Sequence, residues 1–192
     1  MRLLAGDLRY KGYNVLTTCE PGGTPLGRRL REAFLETEET VAPLAELLLF
    51  AADRAQHVEF LIKPALNEGK IVISDRYADA TAAYQGAGRG FSDEVIGRVI
   101  ELATGGLEPD LTIFFDLSID KAIRRTSSRQ NNETVRNRMD AETNDFYTRV
   151  RETYLKIAAR EPQRFRIIEA NASVEEIHAR VKEIIIEFLG NN

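Results

Sequence analysis

Asp75 and Arg76 have the clearest chemical use of any pair in the chain, because they close a short apolar run, Ile71, Val72 and Ile73. Such a run, without alternation, is the pattern of a parallel strand covered on both faces. In an open α/β sheet the ligand lies beyond the carboxyl ends of the strands, so a carboxylate and a guanidinium at that point face a binding crevice. The planar fork of Arg76 suits phosphate, and Asp75 can hold that fork or a hydrated Mg²⁺. A structural ion pair at a strand end is the competing reading; the position and the residues that follow it favour a ligand.

Two further groups stand out. Residues 42–63 form a long apolar helical run in which Phe50, Arg54, His57 and Leu61 share one face. An arginine in such a face needs a partner, since an unpaired buried charge is prohibitive. From spacing alone, a ligand base stands even with the competing reading of Arg54 as an exposed charge or a member of a structural salt bridge. Phe50 suits core packing as well as stacking on a ligand. His57 reads as a surface or polar-network residue, because no second His or Cys stands at metal-ligand spacing. The stretch from Arg124 to Arg138 carries Arg124, Arg125, Arg129, Arg136 and Arg138 among polar residues. That composition suits either a lid over a transferring phosphoryl group or a solvated basic loop.

The elements that must position these groups alternate between helix and strand. Leu3, Leu4 and Leu8 mark an opening helix that Gly12 ends, and Tyr13 to Thr18 reads as a strand. Pro21, Gly22 and Gly23 form a turn, after which Thr24 caps a helix with Pro25 at its first position. Pro64 marks the end of the long helix or a kink in it. Ser92-Asp93-Glu94 opens another helix and Gly105-Gly106 closes it. Leu111 to Phe115 is the next strand, ending at Asp116, for which a cap or loop role is preferred to an approach to metal. Phe146, Val150, Tyr154 and Ile157 line one side of an amphipathic helix. Phe165 to Ile168 gives a last strand, and a capping box from Ser173 to Glu176 starts the terminal helix. The alternation predicts a three-layer α/β/α domain with a parallel sheet.

Composition agrees with one compact domain spanning 1–192: 43% of the 192 residues are hydrophobic and 29% charged. Lys and Arg number 26 against 30 Asp and Glu, a net charge of -4 that speaks against a nucleic-acid or membrane surface. A lone cysteine, Cys19, rules out an intrachain disulfide framework and fits a reducing cytoplasm. No apolar run is long enough to span a bilayer as a helix. The phosphate-binding pattern G-x-x-x-x-G-K-[ST] is absent, the one Gly-Lys step being Gly69-Lys70 ahead of a strand.

The run from Asp75 to Gly90, DRYADATAAYQGAGRG, closely resembles the thymidylate kinase signature, with Ala80 where the family usually has Ser. Glu20-Pro21-Gly22-Gly23-Thr24 resembles that family's Arg-Glu-Pro-Gly-Gly-Thr loop, with Cys19 in place of Arg, and Pro109 to Thr112 matches its Pro-Asp-Leu-Thr strand. The resemblance implies a P-loop nucleoside monophosphate kinase fold whose first strand and P-loop are missing from these residues. A start lying upstream of Met1 is the favoured explanation, beside a truncated chain or a degenerate protein. It also implies transfer of a phosphoryl group from ATP to dTMP with Mg²⁺, held by Asp75 through water, in a cytoplasmic homodimer that binds neither nucleic acid nor membrane.

By the same resemblance, Arg76 holds the acceptor phosphate, Arg31 reaches the monophosphate, and Glu20 and Asp75 order metal or water. Phe50 and Arg54 read the base, while Thr81, Tyr84 and Gln85 line the nucleoside pocket. Arg136 and Arg138 act from a lid at 124–140, and the residues that hold ATP are not identified. The alternative is a dTMP-binding or dimerising module without ATP turnover.

Overall fold

The computed structural model describes residues 1–119, 121, 139 and 142–190. In chain order the elements are α1 (Arg2–Tyr10), β1 (Val15–Cys19), α2 (Pro25–Leu35), α3 (Pro43–His57), α4 (Lys63–Asn67), β2 (Ile71–Asp75), α5 (Ala78–Thr81), α6 (Asp93–Thr104), β3 (Thr112–Asp116), α7 (Asn144–Arg160), β4 (Phe165–Glu169) and α8 (Val174–Gly190). Two stretches of π-helix, Val58–Ile62 and Ala82–Gly88, continue α3 and α5.

Each described strand runs parallel to its partner, in two separate pairs. β1 lies beside β2 with Val15 opposite Ile71 and Cys19 opposite Asp75, and β3 lies beside β4 with Thr112 opposite Phe165 and Asp116 opposite Glu169. Helices cover both faces, as expected for parallel strands. On one side α1 and α8 close over Leu4, Ala5, Leu8, Val15, Ile168 and Val181, with Ile71, Ile73 and Ile113 packed against them. On the other, Phe165 meets Ile157 and Ala158 of α7, and Phe114 stacks on Tyr154 with ring centroids 4.7 Å apart. The full burial predicted for Ile71 to Ile73 is not reached: all three are half-buried, because β2 has a strand neighbour on one side only.

Local chemistry sets most boundaries. The Thr24 hydroxyl accepts from the Gly27 amide to cap α2, and Ser92 accepts from Val95 to cap α6, which ends in the left-handed region at Gly105 (φ 59°). Ser173 and Glu176 form the reciprocal box at the start of α8.

Of the two readings of Pro64, helix end or kink, the first does not hold: the chain stays helical to Asn67. The preceding stretch shifts to i→i−5 bonding, with the Lys63 amide donating to the Val58 carbonyl. That wider turn absorbs the missing N–H and the bulk of the ring. Asp79, part of the sequence motif, is structural: it takes two hydrogen bonds from Arg164, at 2.7 and 2.9 Å, and one from Thr112.

Candidate active site

The ladder between β1 and β2 extends one step past their ends, where the Glu20 amide donates to the Asp75 carbonyl (2.9 Å). This brings the Glu20 turn and Arg76 to the same rim. Arg76 has φ 71°, the only non-glycine residue with positive φ among those described. The left-handed region costs a residue that carries a Cβ roughly 1–2 kcal/mol, and such outliers gather at functional sites. Its guanidinium lies 4.6 Å from the centre of the Tyr84 ring and donates to the Tyr84 hydroxyl (3.2 Å).

Opposite this rim stands α3. It presents Glu46, Asp53, Arg54 and His57 inward, all buried, with Phe50 between them half-buried and edge-on to Phe34. Arg54 is 2% exposed, and its charge is met on every edge. Nε donates to Glu20 Oε2 (2.8 Å), Nη1 to the Thr81 hydroxyl (2.8 Å) and Nη2 to the Tyr77 carbonyl (3.1 Å). The remaining Glu20 oxygen lies 2.8 Å from His57 Nδ1, and His57 Nε2 lies 2.7 Å from the Thr18 hydroxyl.

Glu20, Phe50, Arg54, Arg76, Ala80, Thr81, Tyr84 and Gln85 line one hollow. Seven of the predicted site residues therefore share a single concave surface, with a fixed cation at its base and a second at its mouth. Asp75 is exposed at the strand end beside it. Arg31 is not on this surface: its Nη1 donates to the Pro21 carbonyl (3.1 Å), and Glu36 is 3.7 Å away, so it braces the turn. Arg136 and Arg138 lie outside the described residues, as does the rest of the 124–140 segment apart from Met139.

Several contributors carry no sequence signal of their own. Glu46 accepts from Gln85 Nε2 (2.8 Å) and from Arg89 Nε and Nη2 (3.0 and 2.9 Å), which fixes the Gln85 amide and anchors the glycine-rich turn to α3. Its position one turn before Phe50 was the available hint. The turn is pinned on its other side by Arg149, which donates to the Ala87 and Gly88 carbonyls. Asp53 accepts from the Gly22 amide (3.0 Å) and holds the Pro21-Gly22-Gly23 turn. Burial raises its carboxyl above the ordinary aspartate value, and Oδ2 has no hydrogen-bond partner among the described residues. Burial likewise raises the Cys19 thiol, so it stays protonated beside Asp75.

Chemically, the hollow offers an aromatic wall, a fixed donor at its base and a second guanidinium at its mouth. It contains no nucleophile poised against a base. Among the described residues no three His, Cys, Asp or Glu side chains converge on a common point, so no all-protein metal cage is present there. Asp75 offers a single exposed carboxylate, and Mg²⁺ is commonly held by one or two carboxylates with water and phosphate oxygens completing the shell.

A thymidylate kinase family profile matches residues 1–181. The thymidylate kinase of Nitratidesulfovibrio vulgaris is 46% identical over 178 residues, covering 91% of this chain and 83% of its own length. That of Geotalea daltonii is 42% identical over 196 residues, covering 100% and 92%. The crystal structure of the thymidylate kinase from Ehrlichia chaffeensis superposes with a TM-score of 0.76 at 32% identity, covering 96% of this chain and 88% of that one.

Proposed function

The chain belongs to the thymidylate kinase family, and from that premise we infer that it transfers the γ-phosphoryl group of ATP to dTMP, giving ADP and dTDP. The observation that carries this reading onto particular residues is the shared hollow of Phe50, Arg54, Arg76, Thr81, Tyr84 and Gln85. A planar base slides against Phe50 while Arg54, already held by Glu20, Thr81 and the Tyr77 carbonyl, donates to the base edge from a fixed direction. Tyr84 and Gln85 close around the nucleoside.

Arg76 takes the acceptor phosphate. Its guanidinium exchanges the Tyr84 hydroxyl for phosphate oxygens, a bidentate match stronger than a neutral hydrogen bond. An oxygen of the dTMP phosphate forms the new bond to the γ-phosphorus, and the bond from that phosphorus to the bridging oxygen breaks, leaving ADP. Such a transfer depends on alignment and charge neutralisation, which is why the hollow is rich in donors and lacks a nucleophile. Asp75 would hold Mg²⁺ through water. The ion, when bound, neutralises charge on the donor phosphates.

The same reading gives a cytoplasmic homodimer acting on dTMP and ATP. Leu44 and Leu48, exposed one turn apart on α3, supply apolar surface for self-association. Among the described residues no helix is long and apolar enough to cross a membrane. The test is ADP release coupled to dTMP, run beside calorimetric titration with dTMP alone. Turnover that requires dTMP supports phosphotransfer, whereas dTMP binding without turnover replaces it with a binding module.

A further inference from the structure

Arg54 is the only base-reading cation in the hollow, yet it is held by a carboxylate that is itself held elsewhere. Glu20 sits in a turn, and one of its oxygens faces Arg54 while the other faces His57. A carboxylate on a turn, bound at one oxygen only, would be free to rotate about its side-chain bonds. His57 removes that freedom. A carboxylate only accepts, so Nδ1 carries the hydrogen of the Glu20 contact, and Nε2 is left to meet the Thr18 hydroxyl at 2.7 Å.

Thr18, His57 and Glu20 therefore form an unbroken polar line from β1 through α3 to the turn, ending on the Arg54 guanidinium. All four side chains are buried, with His57 fully excluded from solvent. Gly23 seals the line from above. A Cβ added there would lie 2.5 Å from His57 Nε2 and 2.6 Å from the Thr18 hydroxyl.

We propose that His57, anchored by Thr18, is a positioning residue for nucleotide recognition: it fixes Glu20 and so aims Arg54 at the base. It touches neither the nucleotide nor the reacting atoms. The inference rests on the reading that Arg54 meets the base edge, and it adds the residues that make that direction constant. Buried polar lines of this kind specify a geometry when every member is satisfied, and lose it when one is removed.

The test is calorimetric titration of the full chain with dTMP and, separately, with dCMP, which presents an amino group where dTMP presents an oxygen. His57→Leu fills the same space without either hydrogen bond. It is expected to weaken dTMP binding about ten-fold and to erase the preference for dTMP over dCMP. His57→Asn, which retains a donor near the Nδ1 position, is expected to restore most of that preference. Thr18→Val keeps the volume and removes only the outer anchor, and it should lower the preference about two- to five-fold; it serves alone if His57→Leu does not fold.

An unchanged dTMP-to-dCMP ratio in His57→Leu or Thr18→Val overturns the proposal. So does an equal loss in His57→Leu and His57→Asn, which would make the side chain a space-filler. A wild-type chain that fails to bind dTMP overturns the nucleotide reading itself, a result separate from all of these.

Discussion

The two guanidinium groups of the hollow are held in opposite ways. Arg54, on α3, is buried, and each of its edges is hydrogen-bonded. Arg76, just past β2, is exposed, sits in the left-handed region and rests on the face and hydroxyl of Tyr84. The helix side is a finished framework whose geometry is set before any ligand arrives. The strand side is a group with a replaceable partner. On the proposed function, recognition of a flat base would be served by the first arrangement, and capture of a charged group that changes during reaction by the second. The difference makes stability and activity separable across a few ångströms.

The comparison breaks most visibly at Glu20. Glu20→Ala leaves Arg54 and His57 facing each other without the carboxylate between them, and the expected loss is about 3–5 kcal/mol of unfolding free energy by chemical denaturation. A loss under about 1 kcal/mol would show that the helix side is not the rigid one. Arg76→Ala is the mirror case: phosphorylation of dTMP is expected to fall by roughly 10²-fold or more, while stability changes by less than about 1 kcal/mol because one exposed contact is lost. Measuring both quantities on the same preparation decides the matter.

A third substitution sharpens the contrast from above. Gly23→Ala drives a methyl group into His57 and Thr18, and overpacking of that kind costs about 1–3 kcal/mol. The loss should be accompanied by weaker dTMP binding. Asp53 gives the pH signature of the same framework. Because burial raises its carboxyl in the folded state, the unfolded chain ionises first as pH rises above the ordinary aspartate value of about 3.9. Its contribution to stability is thus complete below that value and is lost on going up through the folded value. Asp53→Asn keeps an acceptor for the Gly22 amide and carries no charge, so thermal unfolding should favour it over the wild type progressively more as pH rises from 4 to 7. The smallest effect belongs to the surface. Asp116→Asn weakens a partly exposed pair with Arg151, at 2.6 and 2.7 Å, and should cost at most about 1 kcal/mol.

What could be read from the chain beforehand followed local periodicity. The spacing of Phe50, Arg54 and His57 placed them on one helix face, and the apolar run ending at Asp75 placed Arg76 at a strand tip; both hold in the structure. Caps at Thr24, Ser92 and Ser173 were equally legible, since each depends on residues three apart. Partnerships across long stretches of chain were not. Glu20 with His57, Thr18 with His57 and Asp79 with Arg164 are separated by 37, 39 and 85 positions, and no periodicity encodes them. Asp116 read as a cap or loop residue for the same reason, its partner Arg151 lying 35 positions away. Whether Pro64 ended the helix or only perturbed it could not be read beforehand, because the π-turn that lets the helix continue leaves no composition mark.

The division of the strands into two separate couples has a consequence for how the molecule opens. A two-stranded ladder is marginal alone, so each couple depends on the apolar cluster lying across both. That cluster is supplied largely by Leu4 and Leu8 from one extremity of the chain and by Val181 from the other. Detachment of either flanking helix should therefore loosen both couples together. Amide deuterium uptake along Val15–Cys19 and Phe165–Glu169 would then rise in concert, although the two segments share no hydrogen bond.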